Sequence, residues 1–361
     1  MSQLLIFFLL PIPIISIFLY LGLSFFKDST VVWIASFLIG IFFTLFLLKN
    51  IFKTYWQQAK HFFSSRTINT GLIIILIFIA IKAYVISPFI ITKTINNFTH
   101  IQVTDVGDYY KHAFVINSLA SSGIPPEHPY FPKAKLSYYY GYYLIPAAIT
   151  KIFNISASYA LFCFVILTDF LSLLTLWIIF ASEIRTIMGK LSALLLLLFA
   201  AGVDILPGII KEFGILNSLI NPDIFPRDRG LALINNFVSF LYVPQHFFAA
   251  SLTVAIIYLL IKKGISLVKL TVMAVFVFLS SIFVSMTLSW WLFLIFVFYP
   301  FNRKKLIITA ILSVILLIPY LNHLSGRGNI LYFYNFLPFN FFEGSSHFIY
   351  SLNLILTFLI Q

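Results

Sequence analysis

The stretch SYYYGYYLIPAAITKIF, residues 137–153, decides the topology of this chain. If it crosses a membrane, the basic loops after it fall on the opposite side from those before it. If it stays on one side, every short basic loop lies on the same face. Lys49, Lys53, Lys60 and Arg66 follow the second apolar segment. Later short loops hold Arg185 and Lys190, then Lys262, Lys263 and Lys269, then Arg303, Lys304 and Lys305. An excess of Lys and Arg in short loops marks the cytoplasmic side. All of these loops agree when Leu136–Phe153 lies on the outer surface or dips in and returns. Its tyrosines also suit a headgroup interface, where a ring can be half wet.

Composition requires a membrane in the first place. The 361 residues are 61% hydrophobic and 9% charged, with mean hydropathy +1.02. A soluble chain carries about 25% charged residues, so most of this one is solvated by lipid. The net charge of +12 is the topology signal described above. No nucleic-acid motif accompanies it. The single cysteine, Cys163, excludes an internal disulfide and a cysteine metal site; it lies in an apolar run and reads as packing.

A membrane-spanning helix needs about 20 apolar residues. The candidates are 4–26, 31–48, 71–92, 157–182, 191–208, 241–261, 268–285, 286–301, 305–322 and 347–361. The fold class expected is all-α, a polytopic transmembrane bundle of about ten spans with amphipathic surface helices on its outer face. Residues 1–70 hold two spans and a basic cytoplasmic loop. Residues 71–361 form the core, with outer loops at 93–156, 209–240 and 323–346. The N-terminus lacks a basic n-region and a small-residue cleavage site, so it reads as a span rather than a removed signal peptide. The chain ends in or just after an apolar run, as a compact chain or a truncated one would.

The first outer loop is the most informative. In TDVGDYYKHAFVINSLA, residues 104–120, Tyr109, Ala113, Ile116 and Ala120 recur at helical spacing. Gly123 and Pro125-Pro126 end the helix. The pattern predicts a short amphipathic helix lying on the membrane, followed by a second one over 137–153. Lys82 and Asp169 are the two clear charges at mid-span, and intramembrane charges usually pair or function; they are expected to meet, in a structural role.

The order of these parts resembles the GT-C superfamily of membrane glycosyltransferases. An outer loop opens a surface helix with an acidic residue. A Pro-rich link, GIPPEHPYFP at 123–132, and a Tyr-rich second helix follow. The YYYG at 138–141 resembles membrane proteins named for a Tyr-Tyr-Tyr domain, and VPQHFFAA at 243–250 resembles a Pro-Gln-His segment in them. The resemblance covers residues 70–320. It implies a polyprenyl-phosphate-linked sugar as donor, an acceptor of unknown identity, and a carboxylate in the first outer loop that acts as general base or holds a divalent metal, Mg or Mn. It also implies a multi-pass protein of the bacterial inner membrane with its active face non-cytoplasmic.

Asp108 is the first choice for the carboxylate, because Asp108 and His112 share one helix face. Asp108 is equally placed to cap the helix. Asp105 is the second choice, or a turn residue. His112 would orient a phosphate or the carboxylate, or be a structural histidine of the helix. Glu127 and His128, stiffened by prolines, are candidate ligands or a solvated turn. Tyr139 and His246 are candidate substrate contacts. Arg227 and Arg229 have guanidinium forks suited to phosphate. Asp223 and Asp228 could help Asp108 hold a metal, or could neutralise the neighbouring arginines. A transporter or flippase of a lipid-linked glycan is the rival reading, with Lys82 and Asp169 on a polar path. A non-catalytic membrane subunit would keep the fold alone. The absence of a strong internal repeat speaks against transport.

Overall fold

The computed structural model describes residues 2–26, 28–63, 66–90, 93–95, 98–100, 107–128, 134–136, 138–199, 240–241, 243–262 and 264–325. The helices are α1 (Ser2–Leu9), α2 (Pro11–Phe25), α3 (Thr30–Phe63), α4 (Arg66–Ile90), α5 (Gly107–Ser122), α6 (Leu144–Phe153), α7 (Ala157–Glu183), α8 (Ile187–Phe199), α9 (Pro244–Ile261), α10 (Leu267–Ser280), α11 (Ile282–Phe298) and α12 (Arg303–Ser325). The chain divides into two compact units, residues 1–194 with 241–316, and residues 195–240 with 317–361.

Five stretches are long and apolar enough to cross a membrane: Thr30–Lys49, Asn69–Ser87, Ala157–Glu183, Pro244–Ile261 and Pro300–Asn322. A sixth is added if α1 and α2 count as one span, bent by 43°. Pro11 sits at the start of α2 and has no N–H to continue the ladder. The expectation of about ten spans included three stretches that form shorter apolar helices, α8, α10 and α11. The expected span at 347–361 lies outside the described residues, as do nearly all of loop 209–240 and most of loop 323–346.

Apolar side chains cover the outside of these helices. Leu38, Phe42, Leu45 and Phe46 on α3 are exposed, as are Ile73, Leu76, Ile77 and Tyr84 on α4. A face of this kind needs hydrocarbon as its solvent. These helices belong to a membrane-embedded protein. Cys163 is also exposed, so it faces outward from α7 and does not pack in the core as expected.

α7 is the central helix and packs against α1, α4, α5, α6 and α9. Its neighbour α4 approaches closely at Gly71, where an added Cβ would lie 2.0 Å from the Trp177 ring. Farther along the same pair of helices, Lys82 Nζ meets Asp169 Oδ2 at 2.5 Å with both side chains fully buried. The two mid-span charges therefore do meet.

The 27 residues of α7 extend about 40 Å and separate two ends of the bundle. Beyond its first turn, Lys151 Nζ lies 3.7 Å from Asp28 Oδ2, and the same Asp28 accepts from Trp33 Nε1 at 2.7 Å. At its last turn Glu183 pairs with Lys262 (3.0 Å). There too Asn302 Nδ2 donates to the Leu260 carbonyl and Lys305 Nζ to the Ile265 carbonyl. Helix α10 leaves that end and stops at Ser280, and α11 returns. One end thus collects the short basic loops around 262–266 and 299–305. The other collects residues 26–29, the segments on either side of α6 and the α10–α11 break.

The two helices expected on the membrane surface are packed into this second end. In α5, Tyr109, Ala113, Ile116 and Ala120 are buried, as the stripe predicts, but so are His112, Val115 and Leu119. Residues Tyr140–Ala148 are buried without a break, and α6 packs against α2, α3, α5 and α7. At 10 residues, or about 15 Å, α6 is too short to cross a membrane. The segment does not lie on the surface because its phenols find partners within the protein. One feature departs from an all-α fold: Lys93–Ile95 pairs antiparallel with Phe98–His100.

Candidate functional site

The candidate site begins with the fit of the tyrosine run against α10. At Gly141 an added Cβ would lie 2.5 Å from Leu279 Cβ and 3.0 Å from its carbonyl carbon. Only glycine allows this approach. The single 3-10 turn Gly141–Tyr143 then leads into α6, and the phenols fan out to three neighbouring helices, α5, α7 and α9.

Tyr142 reaches Thr168 Oγ1 at 2.7 Å, one residue before the ion-paired Asp169. Tyr143 reaches His112 Nδ1 at 2.7 Å, with the two rings stacked at 5.1 Å. Tyr139 stacks on Tyr138 at 4.1 Å and meets His246 Nε2 at 3.2 Å. The other nitrogen of that ring, Nδ1, is 2.7 Å from Ser281 Oγ. Ser281 also caps α11 by accepting the Val284 N–H. From α5, the Tyr109 hydroxyl donates to the Leu241 carbonyl at 2.6 Å, and Lys82 lies 5.9 Å from the Tyr109 ring centre. Two histidines, a row of tyrosines and the Lys82–Asp169 pair thus form one connected cluster.

The cluster is close to electrically neutral. Burial holds His112 down to about 3, and the nearby Lys111, His246 and Lys82 push it the same way. Burial raises the Tyr143 phenol well above 10. At neutral pH both stay uncharged. His112 Nε2 and Gln245 Oε1 are among the buried polar atoms that have no hydrogen-bond partner among the described residues. A buried polar atom without a partner costs about 1–3 kcal/mol, so each is a place where a small polar ligand or water would be stabilising.

The His112 environment sets a pH dependence. Free imidazole titrates near 6.5, and the folded ring near 3. Between those values the unfolded chain binds the extra proton, so stability falls as pH drops from about 6.5. The melting temperature of the detergent-solubilised protein is expected to fall across that window, with a shallower slope in His112→Gln. An identical slope in the variant would assign the effect to other groups.

The residues named from sequence divide into three sets. Tyr139, His246 and His112 are in the cluster, although His112 is buried and not on a surface helix. Glu127 is exposed and lies 3.7 Å from Lys135, in a small clasp where the His128 N–H donates to the Ala134 carbonyl. This clasp matches the solvated-turn reading for Glu127. Asp108 lies in the first turn of α5, with its side chain outside the described residues. Asp105, Asp223, Arg227, Asp228 and Arg229 lie outside them entirely.

Sequence reasoning did not single out Tyr138, Tyr142, Tyr143, Lys111 or Ser281 as site residues. Two signals were present. The tyrosines recur as two pairs, Tyr138-Tyr139 and Tyr142-Tyr143, on either side of Gly141. The adjacent serines 280 and 281 interrupt an otherwise apolar run.

No group of three or more metal-binding side chains converges among the described residues. Mg and Mn prefer oxygen ligands. The one described carboxylate in the cluster, Asp169, is occupied by Lys82. The described cluster therefore does not fit such an ion. In comparisons with known proteins, no family model, no curated protein and no solved structure matches this chain.

Proposed function

We propose that this chain is a multi-pass membrane glycosyltransferase of GT-C type. It moves a sugar from a polyprenyl-phosphate donor to an acceptor on the non-cytoplasmic face of a bacterial inner membrane. The observation that carries this reading is the position of α5. Its first turn holds Asp108, and the next residues, Tyr109 and His112, tie that turn into the neutral Tyr–His cluster. The cluster reaches from the midpoint of α7, at Thr168 and Asp169, toward the end opposite Lys262 and Lys305. The positive-inside rule assigns the basic end to the cytoplasm, which puts the cluster outside.

In this reading Asp108 accepts the proton of the attacking acceptor group, a role that requires hydrogen-bond reach in the bound state. The neutral phenols and imidazoles hold hydroxyl groups without competing for the charge of the leaving phosphate. The Lys82–Asp169 pair, buried beneath Tyr109, braces α4 against α7 under the site.

Reconstitution in vesicles containing a sugar-labelled polyprenyl phosphate, together with a cell-envelope fraction as acceptor source, tests the proposal. Label is expected to leave the lipid phase while polyprenyl phosphate accumulates. Intact donor crossing the bilayer without being consumed would instead establish the flippase reading. Donor that neither reacts nor moves, across a panel of hexose and pentose donors, would leave the chain as a non-catalytic subunit.

A further inference from the structure

At the cluster end of the bundle, three lysines have described side chains outside the spans: Lys111, Lys135 and Lys151. Lys135 faces Glu127 and Lys151 faces Asp28, each at 3.7 Å. Lys111 has no carboxylate within salt-bridge distance among the described residues. Its ammonium instead lies 5.5 Å from the centre of the Tyr138 ring, and that ring is stacked on Tyr139. An aromatic face attracts a cation without cancelling its charge. Lys111 is exposed while its neighbour His112 is buried, so the charge stands at the edge of the cluster. Its field is strong enough there to help keep His112 neutral.

The surroundings of this cation narrow what it would bind. Phe114 is on the same helix face three residues on and is 45% exposed. The outer face of α5 therefore presents a positive charge beside apolar surface. A free anion gains nothing from the phenylalanine, and a neutral lipid gains nothing from the lysine. An anion attached to a hydrocarbon chain uses both. Lys111 is a compact point charge, a type suited to phosphate.

We propose that Lys111, held over Tyr138, is the binding subsite for a phosphate ester carried on a long apolar chain, with Phe114 alongside the start of that chain. The proposal rests on the transferase reading only for the identity of that lipid as the sugar donor or its product. It assigns the phosphate to a residue on α5, separate from Arg227 and Arg229.

The test uses the full chain in detergent micelles and radiolabelled polyprenyl monophosphate as the probe. Lys111→Gln is expected to weaken binding about tenfold or more, as expected for loss of a hydrogen bond to a charged group. Lys111→Arg should retain most of the affinity. Polyprenol, which lacks the phosphate, should bind the parent and Lys111→Gln equally. Equal affinity of Lys111→Gln and the parent for polyprenyl phosphate overturns the proposal. So does competition by phosphatidylglycerol at the same concentration as the probe, because Lys111 would then be a general contact with anionic lipid. Competition by inorganic phosphate at that concentration overturns the lipid assignment in favour of a soluble phosphate. The two readings fail separately. Lys111-dependent binding without sugar transfer keeps this subsite and removes the transferase; sugar transfer with an unchanged donor KM in Lys111→Gln does the reverse.

Discussion

Asp108→Asn is expected to lower sugar transfer by about 10²–10⁴-fold, the usual contribution of a general base, while leaving the protein folded. The substitution keeps the size of the side chain and its ability to accept a hydrogen bond near the helix start, and it removes the basic oxygen. Asp108 lies in the first turn of α5, so the lost charge also weakens a favourable interaction with the helix dipole, an effect of about 0.3–1 kcal/mol. Helix α5 is held chiefly by its buried face, from Tyr109 to Ala120, which the substitution does not touch. The measurements are donor turnover in vesicles and melting temperature of the same preparation. Full turnover in Asp108→Asn would remove Asp108 from the chemistry and make Asp105 the next carboxylate to replace. A collapse of the melting temperature together with activity would identify Asp108 as a structural cap.

Lys82→Met and Asp169→Leu, made singly, are each expected to destabilise the protein by about 3–5 kcal/mol. Both side chains are fully buried, with Lys82 Nζ 2.5 Å from Asp169 Oδ2. Apart from Lys82, the Asp169 oxygens have no partner among the described residues. Removing the lysine therefore leaves a carboxylate stranded between α4 and α7. Removing the aspartate leaves the buried ammonium without its counter-charge. The double variant replaces the pair by apolar groups of similar bulk and should recover most of the loss, since a buried pair gains little over well-packed hydrophobic side chains. Unfolding of the detergent-solubilised variants by denaturant gives the coupling directly. If the single losses merely add in the double variant, the two charges do not support each other.

Hydropathy made the membrane character and the apolar segments legible, because only lipid can solvate so many exposed Leu, Ile and Phe side chains. The Lys82–Asp169 pair was legible for a related reason: two opposite charges at mid-span depth have few other ways to be stabilised. The burial of α5 and α6 was not. A tyrosine reads equally well as a headgroup anchor or as a buried ring with one satisfied hydroxyl. What decides between them is a distant partner such as Thr168 for Tyr142 or His112 for Tyr143. The boundary between α10 and α11 falls at Ser281 instead of near residue 286. There a serine in extended conformation caps the next helix, and an apolar window on either side hides it. Of the candidate site, Tyr139, His246 and His112 were identified one at a time by residue type. Their convergence depends on Gly141 fitting against Leu279, and no local pattern encodes that.

The span of chain between Tyr139 and its partner has a consequence for how the protein is made. The phenol meets a histidine 107 residues later in the sequence. At a synthesis rate of about 5–20 residues per second, the tyrosine segment waits roughly 5–20 s before that helix leaves the ribosome. Throughout that interval the Tyr139 ring lacks its histidine, and α6 is too short to settle as a span of its own. The insertion machinery, or the lipid headgroups, must shelter this stretch until α9 and α10 arrive. A nascent chain arrested before residue 246 would hold its tyrosines in a different place from the finished protein.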